Sequence, residues 1–169
     1  MENYKKEKWH RHMGVYGICV SSDNELLLIK KNGGPYTGFY DLPGGSLENS
    51  ESLVEGLERE ILEETGYEIE VEKNWGCYDF LINDAYNGCK YTQHIAIMYK
   101  VKAIKKTESI IEEMVINNSS LDENDSLGVV WVHISHISIN NSSPLVLKAC
   151  QIINSESTFE MEKYLDWVK

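Results

Sequence analysis

A concentration of glutamates between residues 48 and 72 is the feature of this chain best suited to chemistry. The segment holds ten glutamates, one arginine and no lysine. A solvated helix face usually places lysine four residues after glutamate, because like charges at that spacing repel by about 0.2–0.5 kcal/mol. Glu60 and Glu64 have the unfavourable spacing, and Glu63 lies beside them. The segment is therefore either an acidic surface or a site for a cation.

The spacing of these glutamates predicts which way each one faces on a helix. At about 100° per residue, Glu64 lies about 40° from Glu60, and Glu63 lies about 60° away on the other side. The side that carries Glu60 and Glu64 also carries the apolar residues Leu53, Leu57 and Ile61. Glu55 and Glu58 fall on the opposite side, where we expect them to be solvated. Carboxylates turned inward together stay ionised only if a positive charge lies among them.

Two sources of that positive charge remain open. Mg²⁺ and Mn²⁺ prefer hard oxygen ligands of this kind, whereas Arg59 on the same helix could neutralise part of the cluster. Gly44 and Gly45 precede the helix, and glycine lets the backbone turn sharply and approach a ligand or metal closely. A carbonyl there could be a further oxygen ligand. A cation held in this way suits a diphosphate, because it bridges phosphoryl oxygens, neutralises their charge and activates water.

The acidic residues must be positioned by a helix between predicted strands. The helix spans Ser52 to Thr65, because Ser52 and Glu55 form a capping-box pattern and Gly66 is the expected left-handed stop. Further helices are predicted over residues 108–115 and 143–153, and an amphipathic segment over residues 159–168 is expected to close the domain. Strands are predicted over residues 15–20, 26–29, 39–42, 69–73, 76–82, 91–104 and 129–134. This order indicates one α+β domain over residues 1–169, or an α/β sandwich, rather than a regular alternation.

Composition narrows the class of function and the compartment. A length of 169 residues argues for a single domain, and a net charge of −11 argues against binding nucleic acid or anionic lipid through charge alone. The four cysteines, Cys19, Cys77, Cys89 and Cys150, have no paired spacing and are expected to be free thiols of a reducing cytosol. The polar N-terminus and the lack of a long apolar run predict a soluble cytoplasmic protein with no membrane span.

The residues around the acidic helix resemble a known motif. Gly45, then Glu51, then the run from Arg59 to Tyr67 match the Nudix box in its fixed positions, over 23 residues. The last position, usually aliphatic in that family, is Tyr67 here, and Gly56 stands where alanine is common. The chain thus resembles a Nudix hydrolase, and the resemblance implies an α/β/α sandwich with a mixed central sheet over most of the chain.

The resemblance also implies roles for the acidic residues. Glu60 and Glu64 would bind Mg²⁺ or Mn²⁺, and Gly45 would add its carbonyl as a ligand. Glu63 would bind a second metal or help to position the attacking water. The metal set implied is therefore Glu60, Glu63, Glu64 and Gly45.

An arginine and a later loop complete the site that the resemblance implies. Arg59 would pair with Glu51 and so hold the loop to the helix, which makes Arg59, Glu63 and Glu64 the expected catalytic set. In some members the general base lies outside the box, in a loop that corresponds here to residues 117–126. Glu123 and Asp125 are the candidates there, and solvated loop acids are the more ordinary interpretation of both.

The expected substrate is a small molecule, namely a nucleoside diphosphate linked to another group. Nucleoside triphosphates remain by elimination, because no proline lies between Pro43 and Pro144 to match the ADP-ribose group of the family, and Tyr86 is offset from the tyrosine of the dinucleoside-polyphosphate group. Candidate substrate contacts are Tyr36, Phe39, Tyr40 and Asp125. A stable nucleic-acid partner is not expected, and a homodimer is possible.

Several alternatives stay open at this point. A nucleotide-binding module without turnover often lacks box glutamates, whereas all are present here. An isoprenoid-diphosphate isomerase shares the fold but would need a catalytic cysteine that this chain does not offer in a recognisable place. His10 and His12 have no evident third ligand for a metal, and His94 is expected to be a core or rim histidine. Lys30 and Lys31 could meet a phosphate.

Overall fold

The computed structural model describes residues 7–107, 126–154 and 162–164. Eight strands and two helices lie within those ranges, in the order β1 Trp9–Ile18, β2 Glu25–Lys31, β3 Tyr40–Asp41, β4 Gly44–Gly45, α1 Leu53–Thr65, β5 Tyr67–Ile82, β6 Tyr91–Lys106, β7 Ser126–His133, α2 Pro144–Ile153 and β8 Glu162–Tyr164. Neither described helix has the length and apolar character that crossing a membrane requires.

The strands form two sheets whose connections confirm the mixed α+β class. The larger sheet has the order β4-β1-β6-β5-β8, and the smaller has the order β3-β2-β7. β1 and β6 run parallel, with Trp9 opposite Tyr91 and Ile18 opposite Lys100, whereas β5 and β6 run antiparallel. Because β1 and β6 pair in parallel, side chains of β1 lie beside side chains of β6, which is distant from β1 in the sequence.

Several strand boundaries differ from the sequence-based expectation, and β5 and β1 differ most. Residues 69–73 and 76–82, predicted as two strands, belong to the single strand β5, whose register with β6 shifts at Val71–Lys73 and again at Asn74–Gly76. The two residues between the predicted strands, Asn74 and Trp75, therefore belong to an irregularly paired part of β5, because an extra residue can be absorbed without ending the strand. β1 also begins earlier than predicted, at Trp9, because its partner β6 supplies backbone hydrogen bonds to a polar segment.

The local signals at the ends of α1 are confirmed. The Ser52 hydroxyl accepts a hydrogen bond from the Glu55 amide, and the Glu55 carboxylate accepts one from the Ser52 amide at 2.8 Å. Gly66 has a φ of 71°, in the left-handed region, and its amide donates to the Leu62 carbonyl. α2 begins at Pro144 as predicted. The predicted helix at 108–115 lies outside the described residues, as do most of the loop at 117–126 and most of the segment at 159–168.

The apolar face of α1 is anchored in one of two cores. Leu57 and Ile61 are fully buried against Val15, Leu27 and Val101 of the surrounding strands. The second core lies under α2, where Leu145, Val146 and Ala149 are among its buried members. Burial of Leu57 and Ile61 fixes the rotation of α1 about its axis, and this places the neighbouring glutamates toward β1 and β4.

Candidate active site

The glutamates of α1 divide by burial as the helical spacing predicts. The side chains of Glu60 and Glu64 are only 18% and 11% exposed, whereas the Glu63 side chain is 52% exposed. Glu55 and Glu58 are both exposed. The inward pair therefore has little access to water, and Glu63 lies at its edge.

A tight turn of the backbone wraps around the two inward carboxylates. The Gly44 amide donates a hydrogen bond to the Glu64 carboxylate at 2.9 Å. A Cβ atom on Gly45 would lie only 2.7 Å from a Glu60 oxygen, so this glycine leaves the space that the carboxylate occupies. Pairing of Val15 with Gly45 in the sheet holds the turn in place. The structure thus brings Gly45, Glu60 and Glu64 together at the start of the β4–α1 connection.

Arg59 ties the turn and the helix together. Its guanidinium donates to both carboxylate oxygens of Glu51, at 2.6 and 3.0 Å, and to the Ser46 carbonyl at 3.1 Å. The same group reaches Glu60 at 3.0 Å and Glu63 at 3.1 Å. The expected ion pair between Arg59 and Glu51 is therefore confirmed. The arginine also neutralises part of the acidic cluster, which was the alternative to a metal.

One arginine leaves the inner part of the cluster short of positive charge. Burial raises the pKa of Glu64 to about 8, against the opposing effects of the Lys31 ammonium, 3.9 Å away, and the Gly44 amide. Burial also raises the pKa of Glu60, and it raises that of Asp41 to about 6 despite a hydrogen bond from Ser143. A cation beside these groups would favour their charged forms.

The donor set fits a hard divalent cation. Among the residues that the structure describes, no three His, Cys, Asp or Glu side chains converge closely enough to hold an ion as they stand, and Glu60 and Glu63 are directed to Arg59. Glu64 points instead toward Gly44, and the Gly45 position lies so close to Glu60 that a Cβ there would meet the carboxylate. Buried carboxylates with raised pKa values offer the oxygen ligands that Mg²⁺ and Mn²⁺ prefer.

The acidic residues line one part of a cavity of about 510 Å³. Glu60, Glu63 and Glu64 line it together with Lys31 and Gly45. The rest of the wall is rich in rings, contributed by His10, His12, Tyr16, Tyr36, Tyr86 and His94. A single cavity therefore offers carboxylates for a cation and a surface for an aromatic group.

The other expected contacts with a substrate lie in different places. Tyr36 is buried and lines the cavity. Phe39 and Tyr40 are not among the lining residues and pack instead against the core under α2, and their contact with a substrate stays a prediction. Glu123 and Asp125 lie outside the described residues.

Several lining residues were not expected from the sequence. His10 and His12 are two positions apart on β1 and share a face, a spacing that could have signalled a common site. His94 was expected to be a core or rim histidine, and it is indeed buried, but its ring also borders the cavity. Tyr16 and Asp41 had no signal in the sequence, because their place in the wall depends on pairing with distant strands.

Comparison with known proteins identifies the family. A family model described as a NUDIX domain matches residues 10–146, most of the chain, and the chain therefore belongs to the Nudix family. A solved NUDIX hydrolase from Nitrosomonas europaea superposes with a TM-score of 0.64, at 20% identity, over 94% of this chain and 96% of that one. This similarity agrees with the mixed sheet and the few helices described above.

The proteins that resemble this chain in sequence are named for different substrates. An ADP-ribose pyrophosphatase from Methanocaldococcus jannaschii is 42% identical over 69 residues, which are 41% of this chain and 40% of that protein. An 8-oxo-dGDP phosphatase from Homo sapiens is 38% identical over 58 residues, which are 34% of this chain and 18% of that protein. The match thus spans less than half the length of either relative.

Proposed function

We propose that the protein is a metal-dependent pyrophosphohydrolase that cleaves a nucleoside diphosphate linked to another group, with a nucleoside triphosphate or related nucleotide as substrate. One observation carries the proposal: a single cavity joins the carboxylates of α1 to a wall of aromatic rings. A diphosphate needs a cation and a nucleoside needs an apolar, ring-lined surface. The other parts of the prediction, a cytoplasmic location, small-molecule partners only and a possible homodimer, belong to the same proposal.

The residues of the acidic end take distinct parts in this reaction. Glu60, Glu64 and the Gly45 carbonyl would hold Mg²⁺ or Mn²⁺, which supplies charge neutralisation at the phosphoryl group and activation of water. Glu63 is exposed at the edge of the cluster and is available to hold a second ion or to position and deprotonate the attacking water. Lys31 borders the cavity and would face the phosphates.

Arg59 acts on the shape of the site. Through Glu51 and the Ser46 carbonyl it holds the glycine turn against α1, and through Glu60 and Glu63 it orients two carboxylates. A guanidinium with several acceptors keeps such a geometry better than a lysine would, because its donors are fixed in one plane.

A second candidate function is hydrolysis of ADP-ribose. It is favoured by the name of the relative from Methanocaldococcus jannaschii. The cavity does not discriminate between the two, because ADP-ribose and a nucleoside triphosphate both present a diphosphate and an aromatic base. Dinucleoside polyphosphates also present phosphates and aromatic bases, so the cavity does not discriminate against them either.

The decisive experiment is a release assay for phosphate and pyrophosphate with Mg²⁺ and Mn²⁺. It would cover canonical and oxidised nucleoside triphosphates, ADP-ribose and dinucleoside polyphosphates. Glu64→Gln should lower turnover about 100-fold or more, since it removes a metal-ligand charge. Glu58→Gln on the exposed side of the same helix is the matched control and should retain wild-type turnover.

Each other outcome selects an alternative. Nucleotide binding without turnover of any substrate would support a binding module. Wild-type turnover in Glu64→Gln would overturn the assignment of the metal site. No release from any of these substrates, together with rearrangement of an isoprenoid diphosphate in a separate product analysis, would favour the isomerase, because isomerisation releases neither phosphate nor pyrophosphate.

A further inference from the structure

A continuous chain of hydrogen bonds crosses the ring-lined wall of the cavity. The Tyr36 hydroxyl lies 2.8 Å from His94 Nδ1, and His94 Nε2 lies 2.7 Å from the Tyr16 hydroxyl. The Tyr16 hydroxyl in turn lies 3.2 Å from His12 Nε2. We refer to these four residues, Tyr36, His94, Tyr16 and His12, as the ring chain. Both of its ends, Tyr36 and His12, line the cavity.

Gly14 makes this arrangement possible. A Cβ on Gly14 would lie 2.8 Å from the Tyr16 hydroxyl and 2.6 Å from the Gly45 carbonyl oxygen. The Tyr16 ring therefore lies back along β1 over a residue without a side chain, and so reaches His12 and His94. The middle of the ring chain is thereby close to the carbonyl expected to bind the metal.

The histidines of the ring chain are neutral hydrogen-bonding groups. Burial lowers the pKa of His94 well below its usual value, and burial together with the neighbouring His10 lowers that of His12. A neutral imidazole has one nitrogen that donates and one that accepts, so the direction of each hydrogen bond depends on the tautomer. Fixing one tautomer in this chain fixes all the others.

The ring chain can run in two directions. In the first, Tyr36 donates to His94 Nδ1, His94 Nε2 donates to Tyr16, Tyr16 donates to His12 Nε2, and His12 Nδ1 carries a proton. In the second, every one of these bonds is reversed and His12 Nδ1 is an acceptor. Both arrangements hold the same number of protons, and reversal exchanges one proton with water at each end.

The His12 end of the ring chain borders the cavity at a point where the polar edge of a ligand would fit. His12 is half-buried, and among the described residues its Nδ1 has no hydrogen bond to another group. His10, on the same face of β1, has a buried Nδ1 that likewise lacks a partner within the described part of the chain. The ring of Tyr86 lies 4.5 Å from the His10 ring and is half-exposed at this end.

We propose that His12 is a specificity-determining residue that meets the edge of the substrate's base and presents either a donor or an acceptor there, according to the direction of the ring chain. This inference rests on the proposed function, because it requires a nucleotide whose phosphates lie at the glutamates. The cavity would then accept both bases with an amino group and bases with a carbonyl at the same ring position.

The test uses adenosine and inosine triphosphate analogues that resist hydrolysis, with Mg²⁺ present. The two bases differ at one edge, where adenine has an amino donor and hypoxanthine a carbonyl acceptor. In protein labelled with ¹⁵N-histidine, the protonated nitrogen of His94 should change from Nδ1 with the adenine analogue to Nε2 with the hypoxanthine analogue. The tautomer is measured at His94, which is not expected to touch the base. A change there must therefore pass from His12 through the hydrogen bonds of the ring chain.

Tyr16→Phe is the matched variant, because it removes only the bridging hydroxyl. His94 should no longer respond to the base. The KM for ATP relative to that for ITP should rise about fivefold or more, because an amino base then forces the His12 Nε2–H to face no acceptor. A merely structural role for Tyr16 would change both KM values together.

The possible failures are separable from one another. If both analogues shift the Gly44 and Gly45 amides while His94 keeps one tautomer, the inference is overturned and the proposed function stands. If neither analogue binds and the release assay finds no nucleotide substrate, the proposed function fails and the inference falls with it.

Discussion

Glu64 shows how strongly the fold acts on a single side chain. Its carboxylate is nearly buried, lies 3.9 Å from the Lys31 ammonium and accepts a hydrogen bond from Gly44, yet burial still raises its pKa to about 8. In the unfolded chain a glutamate titrates at about 4.3. Between these two pH values the folded protein keeps a proton that the unfolded chain has lost.

The metal-free protein should therefore lose stability as the pH rises from about 4.5 to about 8. Below this window both states are protonated, and above it both are charged, so the pH dependence due to Glu64 ends there. The loss should be on the order of a few kcal/mol at most. Asp41, whose pKa is about 6, acts in the same direction in the lower part of the window.

Urea unfolding of the metal-free protein at several pH values checks this prediction. Glu64→Gln should flatten the profile, and Mg²⁺ should restore stability to the wild type at pH 8 but not to the variant. A wild-type stability that rises between pH 5 and pH 8 would contradict the burial of an uncompensated carboxylate.

Gly45 is a second single residue whose replacement should change the site. Gly45→Ala would place a Cβ 2.7 Å from the Glu60 carboxylate, which can move away only by leaving its place beside the turn. The affinity for Mn²⁺ should fall about 10–100-fold, as it does when groups that orient metal ligands are lost. Calorimetric titration measures the affinity, and a melting curve without metal shows whether the fold is kept. Unchanged affinity would remove Gly45 and Glu60 from the metal site.

The elements of the site differ in how locally they are specified. α1 begins and ends on its own signals, the capping box of Ser52 with Glu55 and the left-handed Gly66. Its rotation is then fixed by Leu57 and Ile61 in the core. The helix is therefore both the most locally specified element and the one that carries the acidic residues.

Ser52→Ala tests the contribution of that cap. It should lower the stability by about 1 kcal/mol, because the Glu55 amide loses its acceptor. Thermal unfolding measures the loss, and Ser22→Ala in the exposed turn after β1 is the matched control. The turnover at 25 °C should stay close to that of the wild type, since most molecules remain folded. A loss of turnover without a loss of stability would mean that Ser52 has a direct part in the site.

On the scale of the whole molecule, local signals predicted one half of the cavity and not the other. The extent of α1 follows from its capping signals and the inward direction of Glu60 and Glu64 from helical spacing, whereas the pair of Arg59 with Glu51 was implied by the resemblance to the Nudix box. The wall formed by His12, His94 and Tyr16 could not be predicted from such local signals. Its residues meet only because β1 pairs with β6, and nothing in either segment specifies the other.

The interrupted strand illustrates the same limit. The interval Asn74–Trp75 was predicted to separate two strands, because only neighbours along the chain were considered. In the sheet, β6 continues to pair with β5 on both sides of the interval, so the strand continues with shifts in register. The pairing partner decides the outcome, and the partner lies in a separate part of the chain.

The parallel pairing of β1 with β6 also bears on how the protein is made. Trp9 pairs with Tyr91, so β1 leaves the ribosome long before its neighbour does. Contacts this distant in sequence close slowly, because the loop entropy must be lost before the pairing is gained. During synthesis the acidic helix can form while the ring-lined wall cannot. A truncated chain that ends before β6 would therefore retain the whole Nudix box and yet lack the cavity beside it.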